Sequence, residues 1–328
     1  MRILATGGAG YVGSHCVRHL CDSGHQVTVL DDLSQGHRQA VDDRAGFVQA
    51  DVGDRHTLLS LIGDARIDAV MHFAAYLNVG ESVEQPLRYY ENNVSKTIAL
   101  LAACRETGVR KVVFSSSCAI YGTPPLTPIT EDMPTAPINP YGRTKLAMEW
   151  ALQDSAAAWG LGSVALRYFN ASGAAADGSL GEDHRPETHL IPIVLQVALG
   201  QREHVSVFGT DYPTPDGTCI RDYVHVEDLA GAHRLALESI VAGRADRYNV
   251  GTGRGTSVLE VIEAARNVTG HPIPVRPAPR RAGDPPELYA EPRKIKSALG
   301  WSAGYTDIQA IVADAWRWHQ RHPRGFDS

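Results

Sequence analysis

The chain predicts an α/β fold, a doubly wound parallel sheet followed by a second, smaller α/β domain. Three observations carry that expectation. Short apolar runs alternate with longer amphipathic stretches through the first half, the rhythm of parallel strands covered by helices on both faces. The first apolar run ends in a glycine cluster that opens directly into a helical stretch. Beyond Asn170 the rhythm loosens into "ASGAAADGSLGEDHRPETH" and then into shorter, mixed elements.

In order, "RILAT" is the first strand and a helix starts at Tyr11; "QVTVLD", "FVQAD" and "DAVMHFA" are the next strands. A long amphipathic segment from Ser82 to Thr107 leads to "KVVFSSS", then to a helix within "NPYGRTKLAMEW", then to the strand "SVALRYF". Later, "RDYVHVEDLAGAHRLALESI" has the apolar spacing of one more covering helix, and "YNVGTG" reads as one more buried strand. The expected division is therefore residues 1–172 in the sheet domain, with parts of roughly 222–250 returning to it, and 173–328 in the second domain. A chain of 328 residues, 43% hydrophobic, is long enough for this pair of cores.

Composition excludes several classes. A net charge of -6 without a long basic run leaves no footprint for nucleic acid. The sequence has no apolar run of about 18 residues, so a membrane span is not expected. "MRILATGG" lacks the basic and apolar regions of a secretory leader, which points to the cytoplasm. Five cysteines in no CxxC spacing read as reduced thiols rather than a disulfide or zinc framework.

The glycine cluster is Gly7-Gly8-Ala9-Gly10-Tyr11-Val12-Gly13. Glycines there allow a tight turn and a close approach to a pyrophosphate, whose charge meets the positive end of the following helix. Asp31 closes the second strand, where a carboxylate accepts hydrogen bonds from ribose hydroxyls. Asp32 follows and no arginine stands at either place to meet a 2'-phosphate, so NAD is favoured over NADP. The competing reading is a structural turn with a surface aspartate. Asp51, after "FVQA", suits either an adenine contact or a strand-end cap.

Asn139 is a good N-cap and Pro140 a good first helical residue, which puts Tyr141 in the first turn and Lys145 one turn later on the same face. The lysine cation, the helix N-terminus and an oxidised nicotinamide would all favour tyrosinate, so the expected pKa lies below the ordinary value and Tyr141 can serve as a general base. Three serines end the fifth strand, at the end of a parallel sheet where ligands bind. Ser117 is the hydroxyl expected on the reacting oxygen, unless these serines only form a turn.

These motifs, together with "HFAA…VGES", "YYENNV", "LRYFNASGA", "FGTDYPTPDGTCIRDYVHV", "YNVGTG" and "APRRAGDPPE", resemble the extended short-chain dehydrogenase/reductase family over nearly the whole chain. Within it, "DGTCIRDY" and the last three stretches are similar to the sugar-nucleotide epimerases. The resemblance implies a tightly held NAD and reversible 4-epimerisation of UDP-glucose and UDP-galactose. It implies that Tyr141 takes the C4 hydroxyl proton, that Ser117 shares its path and that Lys145 holds the nicotinamide ribose. Val52, Phe73, Asn92, Ser115 and Phe169 would be cofactor contacts, although Asn92 and Phe169 also suit structural roles. Asn170 and Leu190 would touch the UDP-sugar and Phe208 the uracil. Arg221, Arg281 and Asp284 would hold the diphosphate and uridine ribose, a surface salt bridge being the plainer reading of each arginine. Leu288 falls where relatives wall off the C2 side of the sugar; because it lacks a tyrosine's ring and hydroxyl, UDP-N-acetylglucosamine is expected as a substrate too. The resemblance further implies a homodimer through Ser82–Thr107 and Tyr141–Gly160.

Two departures stand out: Leu77 where some relatives carry lysine, and Thr188-His189 where some carry paired asparagines. His184 and His189 could suggest a metal, but five-residue spacing in a proline-containing loop is a poor ligand geometry, so none is expected. A 4,6-dehydratase would need an added acid and base after the fifth strand, where Ser117-Cys118-Ala119 supplies no carboxylate. A non-catalytic NAD sensor would have no need of Ser117, Tyr141 and Lys145 together.

Overall fold

The computed structural model describes residues 1–281 and 284–327. The strands are β1 (Arg2–Thr6), β2 (Gln26–Asp31), β3 (Gly46–Gln49), β4 (Ala69–His72), β5 (Lys111–Ser117), β6 (Gly162–Tyr168), β7 (Asn170–Ser172), β8 (Val205–Phe208), β9 (Ile220–Arg221), β10 (Tyr223–His225), β11 (Ala245–Val250), β12 (Thr256–Ser257), β13 (Val275–Ala278) and β14 (Glu287–Leu288). The α-helices are α1 (Tyr11–Asp22), α2 (Arg55–Asp64), α3 (Val79–Glu84), α4 (Pro86–Tyr90), α5 (Lys96–Thr107), α6 (Pro140–Trp159), α7 (Leu190–Ala198), α8 (Val226–Ser239), α9 (Val258–Thr269), α10 (Arg293–Leu299) and α11 (Ile308–Arg321). Two compact units form, one from Met1–Gly122, Pro134–Arg167 and Ala230–Tyr248, the other from Thr123–Met133, Tyr168–Leu229 and Asn249–Ser328.

The first unit is built on a seven-stranded sheet in the order β11-β6-β5-β4-β1-β2-β3. β1 pairs in parallel with β2 and β4, β2 with β3, and β4 with β5. The strands are near-continuous apolar runs because helices cover both faces, and Leu4, Val70, Val112 and Phe114 are buried with Leu58 and Ile62 of α2 and Leu100 and Cys104 of α5. The strand order reverses between β1 and β4, the switch point at which an open sheet leaves a crevice beyond its carboxyl ends. Gly7 (φ 73°) sits there so close to the loop after β4 that a Cβ would lie 2.4 Å from the Ala74 amide nitrogen.

The long segment expected from Ser82 to Thr107 is broken. Gln85 ends α3 and Pro86 starts α4 at the N-terminal position where its missing N–H costs nothing. Glu91–Ser95 then widen into one π-helical turn before α5. By contrast α6 follows its local signals: the Asn139 side chain accepts from the Gly142 amide at 2.8 Å, Pro140 is in the first turn, and Gly160 closes the helix in the left-handed conformation.

The second unit has its own core, in which Ile191, Val194 and Leu195 of α7, Val261 and Ile262 of α9 and Ile311, Val312 and Ala315 of α11 pack against Val205, Val207 and Tyr223. Its strands form small sets: β13 with β8, β7 with β10, and β12-β9-β14. In the last of these, Leu288 of β14 is the register partner of Arg221 of β9.

Candidate active site

In the first unit the glycine loop turns as the sequence predicts. A Cβ at Gly13 would lie 2.3 Å from the Gly7 carbonyl oxygen, so only glycine lets α1 start this close under the loop. Tyr11, Val12 and Gly13 open α1, and Gly10 precedes it with no side-chain cap, leaving the positive helix end aimed into the loop. Asp31 is buried; its carboxylate accepts from the Ala9 amide at 3.0 Å and the Leu33 amide at 2.9 Å. Burial raises its pKa, and these two donors pull it back. A glycine cradle at a helix N-terminus, with a carboxylate fixed beside it at the end of β2, fits the pyrophosphate and ribose of a dinucleotide.

The other expected cofactor residues divide. Asp51 pairs with Lys96 at 2.5 Å and accepts from the Gly53 amide, so its carboxylate already has a structural partner. Val52 is buried in the core. Phe73 sits at the switch point, its amide donating to the Thr6 carbonyl at 2.8 Å and its ring 5.0 Å from the His233 ring. Asn92 lies in the π-helical turn and donates to Asn93 at 3.0 Å.

Ser117, Tyr141 and Lys145 come together in the same unit. Gly142 explains how: a Cβ there would lie 2.6 Å from the Ala119 carbonyl oxygen, so the start of α6 closes on the turn that follows β5. The Ser117 side chain neighbours the Tyr141 phenol and acts to lower its pKa. The Lys145 ammonium is buried, donates to the Ser115 carbonyl at 2.8 Å and lies 5.8 Å from the centre of the Tyr141 ring. Ser115 itself meets His233 Nε2 at 3.2 Å.

The expected low tyrosine pKa is not what these groups produce. Burial pushes Tyr141 up to about 12 against the opposing effect of Ser117, and burial pushes Lys145 down to about 7. Desolvation outweighs the helix end and the ammonium because both ionisable groups leave water together. An oxidised nicotinamide would add a further positive charge; without it, the chain's own groups keep the phenol protonated.

In the second unit, Arg221 pairs with Asp284 at 2.5 Å and donates to the Ile220 carbonyl at 2.8 Å. The Arg281 guanidinium lies 4.1 Å over the Phe208 ring. Asn170 begins β7, its amide donating to the Asp222 carbonyl at 2.9 Å. Phe169 is buried, and Leu190 is the first residue of α7, packed on the core. Leu288 is partly buried in β14, and its neighbour Tyr289 has its ring 3.3 Å from where a Cβ of Gly255 would lie. Gly283 of the "GDPPELYAEP" stretch lies outside the described residues.

The same unit holds a cluster that the sequence reading discounted. His184 and His189 have ring centres 5.2 Å apart, and both face Glu182 and Glu187. Five-residue spacing in a proline-containing loop reads as poor ligand geometry from the sequence, yet the loop folds both imidazoles onto one pair of carboxylates. Burial would lower both histidines, but the carboxylates override it and hold His184 up to about 9 and His189 up to about 10.

Residues 3–251 match the model of the NAD dependent epimerase/dehydratase family. The chain belongs to that family. It is 54% identical over 329 residues to a UDP-glucose 4-epimerase of Halalkalibacterium halodurans, covering 100% of this chain and 98% of the relative. A crystal structure of a UDP-glucose 4-epimerase superposes with a TM-score of 0.97 at 50% identity, covering 100% of both chains. That of the Bifidobacterium longum enzyme in complex with NAD+ and UDP superposes with a TM-score of 0.95 at 40% identity, covering 99% of this chain and 100% of the other.

In this member of the epimerase/dehydratase family, several supporting residues escaped the sequence reading. Asn93 is buried; its side chain accepts from the Tyr76 amide at 2.8 Å, donates to the Tyr76 carbonyl at 2.9 Å and to Thr144 at 3.2 Å. Thr144 in turn donates to the Tyr141 carbonyl at 2.7 Å. Asn93 thus ties the loop after β4 to the first turn of α6, and the adjacent asparagines of "YYENNV" were its only sequence signal. Behind Arg221, buried Asp222 accepts from the amides of Thr252, Gly253 and Ala290 and ties the end of β9 to the loops after β11 and β14.

Proposed function

We propose that the protein interconverts UDP-glucose and UDP-galactose by reversible 4-epimerisation with NAD. The observation that carries this reading is the joining of Ser117, Tyr141 and Lys145 at the carboxyl end of β5, in the unit that also holds the glycine cradle and Asp31. The glycine loop and α1 N-terminus hold the pyrophosphate, and Asp31 takes the adenosine ribose hydroxyls. When bound, NAD would supply the reversible hydride acceptor for the C4 carbon.

The chain's own residues manage the proton. Tyr141, as the phenolate that the positive charge of bound NAD would favour, accepts the proton of the sugar C4 hydroxyl beside Ser117 and returns it to the C4 oxygen of the opposite epimer. Lys145, low in pKa and fixed by the Ser115 carbonyl, lies near enough to the phenol ring to favour its ionised form when charged. Arg221 and Arg281 meet the diphosphate with forked donors, and Asp284 and Phe208 hold the uridine. Asn170 and Leu190 contact the sugar, and Leu288 lines the side of its C2 substituent. Residues 1–172 with parts of 222–250 bind NAD, and 173–328 bind the UDP-sugar. The cysteine spacing of reduced thiols supports a cytoplasmic setting, and among the described residues no helix is long and apolar enough to cross a membrane.

The protein should convert UDP-galactose to UDP-glucose with no change in mass, whereas a 4,6-dehydratase would release water. Tyr141→Phe should lower kcat by ~10²- to 10⁴-fold, the usual worth of a general base, with UDP affinity unchanged by calorimetry. A near-normal rate in that variant would refute the assignment.

A further inference from the structure

We propose that Glu182, His184, Glu187 and His189 bind one divalent transition-metal ion of the zinc class, at a site distinct from the residues assigned to cofactor and sugar. Two imidazoles and two carboxylates form a nitrogen and oxygen donor set suited to zinc. His189 Nδ1 lies 2.8 Å from Glu182 Oε1 and 3.0 Å from Glu187 Oε1, and His184 Nδ1 lies 3.1 Å from Glu182 Oε1 and 3.7 Å from Glu187 Oε2. All four donor atoms fall within 4.8 Å of one another. A tetrahedral shell with bonds of about 2.0–2.1 Å has ligand-to-ligand edges of roughly 3.3 Å, and the four observed separations straddle that value.

The surroundings agree with the donors. Glu187 Oε1 also accepts from the Thr188 amide at 2.7 Å and the His189 amide at 2.8 Å, the outer contacts that orient a ligating carboxylate. Neutral imidazoles and two carboxylates carry a charge that a divalent cation balances. Glu182, His184 and Glu187 line a recess of 520 Å³ shared with His319 and Gln196, which gives an ion a way in. Bound there, it would pin the loop that enters α7 at Leu190. The competing arrangement is a purely proton-held network in which both imidazoles are charged against the carboxylates.

The test uses untagged holoenzyme stripped with a chelator, dialysed, and offered Zn²⁺ at micromolar concentration. Elemental analysis should find about one zinc per chain, and Co²⁺ in its place should give the intense visible bands of a tetrahedral site. His184→Ala with His189→Ala should abolish both signals, and the shape-preserving Glu187→Gln should weaken zinc at least about tenfold. Retained NAD checks that each variant is folded; if the double variant fails that check, Glu187→Gln alone decides. Wild-type protein without stoichiometric zinc, or variants that bind zinc as tightly as wild type, would overturn the proposal in favour of the proton-held network. The zinc readout is separate from the UDP-galactose assay, so failure of this proposal and failure of the epimerase reading are distinguishable.

Discussion

At the residue scale, burial sets the chemistry more than sequence neighbours do. His72 is buried between Thr6 and Thr97, at 2.6 and 2.8 Å, and burial, helped by the Lys145 charge, pushes it down to about 3. Its unfolded pKa is near 6.5, so below that pH the unfolded chain takes the proton first. The stabilisation is complete above about 6.5 and is lost as pH falls toward 3, a change on the order of several kcal/mol. Denaturant unfolding at pH 7, 6, 5 and 4 should therefore show a shallower fall for His72→Gln than for wild type. Parallel curves would show that His72 does not titrate this way. Leu288 makes the second residue-scale case. Consecutive side chains of extended backbone face opposite ways, and Tyr289 is already committed to Gly255, so Leu288 is the one left beside Arg221. On the proposed assignment it leaves room at the sugar's C2 side, and UDP-N-acetylglucosamine is turned over. Leu288→Tyr should cut kcat/KM for that sugar and spare UDP-glucose; a pocket change of this kind is worth ~1–3 kcal/mol, more where an acetamido group is excluded. Equal effects on both sugars would remove Leu288 as the gate.

At the scale of elements, β5, β6 and α6 are held in register by a buried polar network. Glu149 of α6 accepts from Ser116 of β5 at 2.5 Å and from Arg167 of β6 at 3.0 Å and 2.5 Å, while Arg167 also donates to the Tyr121 hydroxyl at 2.7 Å. The network lies directly behind Ser115, Ser117, Tyr141 and Lys145, so it fixes the helix and strand that carry them. Glu149→Ala leaves a buried guanidinium unpaired and should cost about 3–5 kcal/mol in chemical denaturation, whereas replacing both partners, Glu149→Leu with Arg167→Met, should recover most of that loss. A single variant within about 1 kcal/mol of wild type would show that water repairs the site. The sequence revealed elements whose signals are local: the glycine loop, the cap at Asn139, the proline start of α6. It did not reveal Glu149, Arg167, Asn93 or Asp222, whose partners are distant in the chain, nor the break at Pro86 inside an amphipathic run. The His–Glu cluster was not legible for a related reason, since loop geometry and not spacing brings its four side chains together.

At the scale of the whole molecule, the parallel sheet of the first unit follows from apolar rhythm, because strands buried on two faces leave few alternatives; beyond Asn170 the rhythm loosens, and the core of the second unit was not legible in it. The same logic makes apolar surface informative where no covering element exists. In the first unit α3 and α4 both pack against α6, yet Val83 is 62% exposed, Leu87 81%, Ile98 46% and Trp150 58%. Four large apolar side chains left in water on neighbouring helices are what a second copy would cover. These helices lie within the two segments expected to pair, so the proposed assembly is a homodimer closed by α3–α5 and α6 of each copy. A charge placed there must be buried without a partner, which a dimer cannot accept. Sedimentation should give twice the 35.5 kDa chain mass for wild type and the single-chain mass for Leu87→Glu with Trp150→Glu, each still carrying NAD as a check on folding. A monomeric wild type, or a double variant that remains dimeric, would send the search for the interface to another face.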